Sequence, residues 1–280
     1  MRIGSDTAIK LFQLTEKVGT VVAGKAFIRD SCGTPKDVGY FIEAFKKNIQ
    51  PDWTVKAIAE ALNQHLGGLF IDKELQDLRS QVAPMVGAQG GADLVFGPQE
   101  RNTNPYSFRA ADGTVKHDFC FVDTVQLIVA GFDDDVGHAY SVFVPAGIVS
   151  EYDTQKCGAT WIGQGDVISR MLLGYDPAGA TLDFVAEALK KDPTGTNDQL
   201  MKLRYVVNWN TMTLQDAIDF NVLITRTTES IQRFTDGTIL NPGGITGVGG
   251  DIAVAVILPD GGFNWVKKTC LTVGGVKLDA

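Results

Sequence analysis

Within the first seventy residues the apolar side chains change their period, and that change limits the folds open to this chain. Ile9-Lys10-Leu11-Phe12-Gln13-Leu14 and Gly19-Thr20-Val21-Val22-Ala23-Gly24 are strand-like, and the polar Thr15-Glu16-Lys17 between them predicts a hairpin. From about Pro35 to Ile49 the apolar residues Val38, Phe41, Ile42, Phe45 and Ile49 recur three and four apart. That spacing predicts an amphipathic helix with Pro35 in its first turn. A second helix is expected from Thr54, with Val55, Ile58, Ala59, Leu62 and Leu66 on one face, a break at Gly67-Gly68 and a resumption from Asp72 to Val82.

Residues 84–118 hold Gly90, Gly91, Gly97, Pro98, Asn102, Pro105 and Gly113 with little periodicity, which predicts a long loop or an inserted excursion. Strand character returns from Phe119 to Phe132. With a turn at Asp133 to Gly137 and further strands at His138 to Val144 and Ile148 to Tyr152, it forms an antiparallel meander. Helices are expected at Val167 to Leu173, Leu182 to Lys191 and Asp198 to Trp209. The capping signature Thr213-Leu214-Gln215-Asp216 then opens a helix running to Phe234. A Gly-rich link from Asp236 to Gly250 leads to a last strand pair, Ile252 to Leu258 and Phe263 to Leu271. The order is β block, two helices, β block, helices, β hairpin. It predicts one α+β domain of mainly antiparallel sheets over residues 1–280, and a four-layer αββα sandwich is one arrangement that covers all these apolar faces.

Charge and composition narrow the function. The net charge of −8 comes without any basic stripe, so nucleic acid is not an expected partner. No apolar run approaches the roughly 18 residues needed to span a bilayer, and no signal-peptide pattern opens the chain, so neither membrane nor export by that route is expected. A cytoplasmic location follows as an expectation. Cys32, Cys120, Cys157 and Cys270 are far apart, and His65, His117 and His138 sit in three different contexts, so no metal-ligand spacing is present. The glycine sets Gly163-Gln164-Gly165 and Gly249-Gly250 lack the context of a dinucleotide site, and no cofactor is expected. Asp133-Asp134-Asp135 reads as a solvated turn rather than a cation site.

Three segments together resemble the proteasome β-type subunit family of N-terminal-nucleophile hydrolases. The first, "IKLFQLTEKVGTVVAG", is similar to that family's paired strands. The second, "VQLIVAGFDDDVGHAYSVFVPAGIVSEYDTQKCGATWIGQGDVI", is similar to its meander and the G-S-G stretch after it. The third, "MTLQDAIDF" followed by "GGDIAVAVILPDG", is similar to its penultimate helix and next strand. In family order these cover nearly the whole chain, with insertions near 84–118 and 174–211.

The resemblance implies the αββα sandwich, assembly of identical or related subunits into rings, and a peptide or protein substrate; an ATPase partner is left open. It also implies an N-terminal Thr that is nucleophile and, through an α-amine titrating at roughly 8, its own base. Lys10 takes the position of the family lysine that lowers that amine's pKa by charge repulsion. Gly24 takes that of the glycine whose N–H forms the oxyanion hole. Read without the resemblance, Lys10 is an outward strand residue and Gly24 a turn former.

Three departures accompany it. The family's Thr and a nearby acid lie well upstream of the matched lysine, whereas nine residues precede Lys10. Gln164 stands where the family has a supporting Ser, with Asp166 just after it, and Asp236 substitutes for a later Asp only across an insertion. The expectation is a threonine-type peptidase subunit whose first strands and nucleophile are missing from this chain. The alternative is a non-catalytic structural or binding subunit of the same fold. An unrelated α/β enzyme with residues 84–118 as a lid would need an internal catalytic triad, which the sequence does not display.

Overall fold

A computed structural model describes residues 9–30, 32–69, 72–152, 155–235, 237–238, 241–242, 248–268, 271–273 and 276–278. The chain divides into two compact units. One comprises residues 8–156 with 255–265, and the other residues 157–254 with both chain ends.

The first unit is organised by a five-stranded antiparallel sheet. It opens with the predicted hairpin, β1 (Leu11–Gln13) and β2 (Val18–Gly24), in the register Leu11 opposite Val21 and Gln13 opposite Gly19. Its turn is closed by the amides of Leu14 and Thr15 donating to the Val18 carbonyl at 2.8 and 3.1 Å. A small ribbon follows, β3 (Phe27–Arg29) with β4 (Pro35–Asp37). Next come α1 (Val38–Lys46), α2 (Val55–Gly67) and α3 (Asp72–Ala88). Pro35 is therefore not in a helix: it opens β4, opposite Arg29, and α1 starts three residues later because the Asp37 carboxylate accepts the Gly39 amide at 2.7 Å. Thr54, where the second helix is expected to start, is its cap and accepts the Ala57 amide at 3.2 Å.

Residues 84–118 are not a loop. After α3 the chain forms a three-stranded sheet of its own, β5 (Ala92–Phe96), β6 (Thr103–Arg109) and β7 (Val115–Phe121), in that order. Its inner face packs Tyr106 and Phe108 on Val82 and Val86 of α3, a second small core. The period of two was present, but Asn104 and Pro105 interrupt its apolar signal.

The strand expected from Phe119 to Phe132 is accordingly two strands, β7 and β8 (Val125–Asp133). β8 continues into β9 (Val136–Val144) and β10 (Gly147–Tyr152), the predicted meander. β8 pairs with β2 from Val18 opposite Gly131 to Gly24 opposite Val125, which gives the sheet order β1-β2-β8-β9-β10. Because paired residues share a face, Phe12, Val18, Val125, Leu127, Val129, Tyr140, Val142 and Val144 point to one side. There they bury against Phe41, Ile42 and Phe45 of α1 and Val55, Ile58, Leu62 and Leu66 of α2. Each such side chain is worth roughly 1.5–3 kcal/mol when fully buried. The opposite face carries Leu11, Val21, Ala23, Ile128, Ala130, Ala139 and Phe143, all half-buried.

The second unit is mainly helical: α4 (Asp166–Leu173), α5 (Asp183–Lys191), α6 (Pro193–Met201) and α7 (Leu214–Phe234), with 3-10 turns at Pro177–Thr181 and Trp209–Thr211. The helix expected at Asp198 to Trp209 runs from Pro193 to Met201 instead. Asp192 caps it through the Gly195 amide at 2.9 Å, and Pro193 fills the first helical position. α7 has the predicted capping box: Thr213 accepts the Asp216 amide at 3.1 Å, and Asp216 accepts the Thr213 amide at 2.8 Å. α4 ends at Gly174, at φ 78°, and the buried Asp176 beyond it binds Arg170 and the Gly179 amide.

Short antiparallel pairs complete the chain: β11 (Gly237–Thr238) with β12 (Asn241–Pro242), β13 (Val254–Leu258) with β14 (Gly262–Lys267), and β15 (Leu271–Val273) with β16 (Val276–Leu278). The β13–β14 hairpin returns to the first unit, where the Phe263 amide donates to the Glu16 carbonyl at 2.6 Å. The Phe263 ring fills the space beside Gly19, on the sheet face away from α1 and α2; a Cβ at Gly19 would meet it at 2.6 Å. The chain is thus mixed α and β, with several antiparallel sheets. No helix among the described residues is long and apolar enough to cross a membrane.

Candidate functional site

Two of the sequence-predicted residues come together at one end of the β1–β2 pair. The Val22 amide donates to the Lys10 carbonyl at 2.8 Å, so Lys10 stands opposite Val22 and diagonal to Gly24, with Cα atoms roughly 7–8 Å apart by strand geometry. Backbone amides alternate in direction along a strand, so the Gly24 N–H points to the same edge as that of Val22, toward β1 and away from β8. Gly24 is exposed and adopts φ +81°, a left-handed conformation that side chains resist. A Cβ there would lie 2.1 Å from the Thr124 carbonyl oxygen, so glycine is required on two counts. The Lys25 amide donates to that carbonyl at 3.0 Å and fixes the strand end. Beside it the Thr124 hydroxyl is buried and accepts or donates no hydrogen bond among the described residues. A backbone amide at a strand end, diagonal to a lysine, is of the kind that can hold a developing oxyanion with a cation nearby.

A second group forms in the other unit. Gly165 is the N-cap of α4, and Asp166 is its first helical residue, facing the positive end of the helix. The Gly165 backbone sits against the Trp161 indole, whose Nε1 is 2.6 Å from the position of a Cβ. The Gln164 side-chain oxygen accepts a hydrogen bond from the Gln232 amide group near the end of α7, and the Gln232 oxygen accepts the Val248 amide at 3.1 Å. Gln164 is therefore a neighbour of Gln232 and, through it, of the start of Val248-Gly249-Gly250. Gln232 was not expected here, because 68 residues separate it from Gln164. Asp236 lies outside the described residues.

A third polar group was partly legible and its assembly was not. Asp133, expected as part of a solvated turn, is half-buried: its Oδ1 accepts the Val55 amide at the start of α2 at 2.8 Å, and its Oδ2 lies 3.7 Å from His138 Nε2. The His138 ring lies parallel to Tyr140 at 6.2 Å, and the Tyr140 hydroxyl donates to Glu151 Oε1 at 3.2 Å. Burial, and secondarily the Glu151 carboxylate, push the Tyr140 phenol up to about 12. The signal that could have grouped them is spacing: Asp133 and His138 flank a tight turn, and His138 and Tyr140 share a strand face. With the carboxylate committed to the first turn of α2, this cluster fastens helix to sheet. Among the described residues no three His, Cys, Asp or Glu side chains are grouped to hold a metal. Compared with known proteins, the chain matches no family model, no curated protein and no solved structure.

Proposed function

We infer that the chain is a proteasome-like threonine-type hydrolase subunit, cleaving peptide bonds in a cytoplasmic ring of identical or related subunits. The observation that carries this reading is that Lys10 and Gly24 lie diagonal to one another at one end of a single strand pair. In this assignment Lys10 depresses the amine that takes the nucleophile's proton, and the Gly24 N–H stabilises the tetrahedral oxyanion. The nucleophile is an N-terminal Thr that none of the described residues supplies. The same reading makes the fold a four-layer αββα sandwich, with α1 and α2 outside one sheet and a second sheet against its other face. The half-buried apolar residues of that face, and Phe263 seated over Gly19, support it.

One observation favours the non-catalytic alternative. At the supporting Ser position Gln164 has no hydroxyl, and its side-chain oxygen is engaged by Gln232.

The deciding experiment determines the intact mass and N-terminal residue of the natively expressed protein, then assays it against fluorogenic peptides. The hydrolase reading expects an N-terminal Thr, turnover, and a fall of about a hundredfold in kcat for Lys10→Ala, the scale of a lost proton-transfer contribution. A native protein that begins with another residue and cleaves nothing gives the binding-subunit reading its place. Gly24→Ala is unsuitable here, since the 2.1 Å approach to Thr124 would disturb the fold itself.

A further inference from the structure

β7 is the edge of the three-stranded sheet, and every residue from Val115 to Phe119 is exposed. Its even residues face β6: the Val122 amide beyond its end donates to the Asn102 carbonyl, and the Thr114 carbonyl before its start accepts the Ala110 amide, both at 2.8 Å. Alternation then turns the N–H and C=O groups of Val115, His117 and Phe119 outward, away from β6. A seven-residue edge that exposes Phe119 and Phe121 and contains no Pro is a template for another strand.

The sequence of that edge is complementary to itself. Val115-Lys116-His117-Asp118-Phe119 reads apolar, basic, His, acidic, apolar. We propose that β7 pairs antiparallel with β7 of a second copy of this chain, about a two-fold axis at His117, joining two three-stranded sheets into one of six strands. In that register the outward groups of Val115, His117 and Phe119 meet those of the partner's Phe119, the partner's His117 and the partner's Val115. Lys116 falls opposite the partner's Asp118, and Asp118 opposite the partner's Lys116. These are the non-hydrogen-bonded positions, where opposed side chains come closest. On the outer face Val115 meets the partner's Phe119. At the end, the partner's Phe121 comes over Gly113, where nothing lies within 4 Å of a Cβ position.

Register is specified by charge. Moving the axis one residue either way sets Lys116 against the partner's Lys116 or Asp118 against the partner's Asp118, both repulsive. In the single chain Asp118 accepts the Phe119 amide at 2.8 Å and the Tyr106 hydroxyl at 3.1 Å. Pairing passes that amide to the partner's Val115 carbonyl and frees one carboxylate oxygen for the partner's Lys116.

The test is sedimentation velocity on the full chain at micromolar concentration. A dimer is expected. Its dissociation constant should rise at least tenfold in His117→Pro, which removes an outward N–H while leaving the β6 ladder intact, and in Lys116→Asp. Mixing Lys116→Asp with Asp118→Lys should restore a heterodimer, since each like-charge pair becomes an opposite one. His117→Pro and Lys116→Asp decide the matter even if Asp118→Lys, which loses the Tyr106 contact, folds poorly. A monomeric wild type, or an assembly unchanged by His117→Pro, overturns the proposal; a monomer also counts against a ring of identical subunits, whereas the roles assigned to Lys10 and Gly24, on another sheet, are tested separately by the N-terminal residue and peptide turnover.

Discussion

Tyr140 shows how one side chain couples burial to pH. It is 3% exposed on the helix-facing side of the sheet, and its hydroxyl donates to Glu151. An unfolded tyrosine ionises near roughly 10, whereas here the phenol is pushed up to about 12. Between those values the unfolded chain has lost a proton that the native chain retains. The resulting stabilisation is complete below the unfolded value and is lost as pH rises toward the native one. Tyrosinate absorbance in an alkaline titration should therefore show ionisation of Tyr140 held back until the fold yields. Tyr140→Phe should remove that delayed step and flatten the fall of stability as pH rises from the unfolded tyrosine value toward the native one. A variant whose stability falls as steeply over that range as the wild type's would sink the assignment. Tyr106 is raised as well, by burial first and then by Asp118, so the variant is needed to tell the two apart.

At the scale of elements, what holds α2 to the sheet is an acceptor distant in sequence. Asp133, at the end of β8, accepts the Val55 amide, one of the orphan donors that begin any helix. Removing the carboxylate strands that donor beside a fully buried side chain, so Asp133→Ala should cost about 1–2 kcal/mol, read as a lower urea midpoint with unchanged slope. Asp133→Asn keeps an acceptor in place and should lose less; equal losses would mean that charge, not the hydrogen bond, carries the effect. The same contrast between near and far explains what the sequence revealed. The β1–β2 hairpin, the start of α2 at Thr54 and the Thr213 capping box were legible because each is set within a few residues. The pairing of Gly24 with Val125 was not, since nothing local selects β8 as the neighbour of β2. Residues 84–118 read as a loop or excursion because Asn104 takes an inward position in β6 and Pro105 follows it, while β7 carries a run of exposed polar residues, Lys116 to Asp118. At the candidate site, Lys10 and Gly24 are neighbours by virtue of the hairpin. Gln232 reaches Gln164 only through the fold of α7.

Across the whole molecule, the two units are unequal in what they bury. The first holds a continuous core running from Phe12 and Val18 through Ile42, Leu62 and Leu66 to Val125, Val142 and Val144. Among the described residues of the second, the buried apolar side chains are Val167, Ile168, Val185 and Ile224, while Phe184, Tyr205, Val206 and Phe234 remain exposed. Burial contributes roughly 25 cal/mol per Å² of apolar surface, so this asymmetry translates directly into unequal resistance to opening. Hydrogen exchange should be slowest in α2, β8 and β9 and distinctly faster in α4 to α7. Trypsin should cut first at Lys202 or Arg204, both exposed and beyond the end of α6. In urea, far-ultraviolet dichroism should begin to fall before the sheet's amides lose protection, because the helices of the second unit open first. If the α7 amides exchange as slowly as those of β8, and all probes trace one coincident transition, the units unfold together and the smaller core draws its stability from elsewhere in the chain.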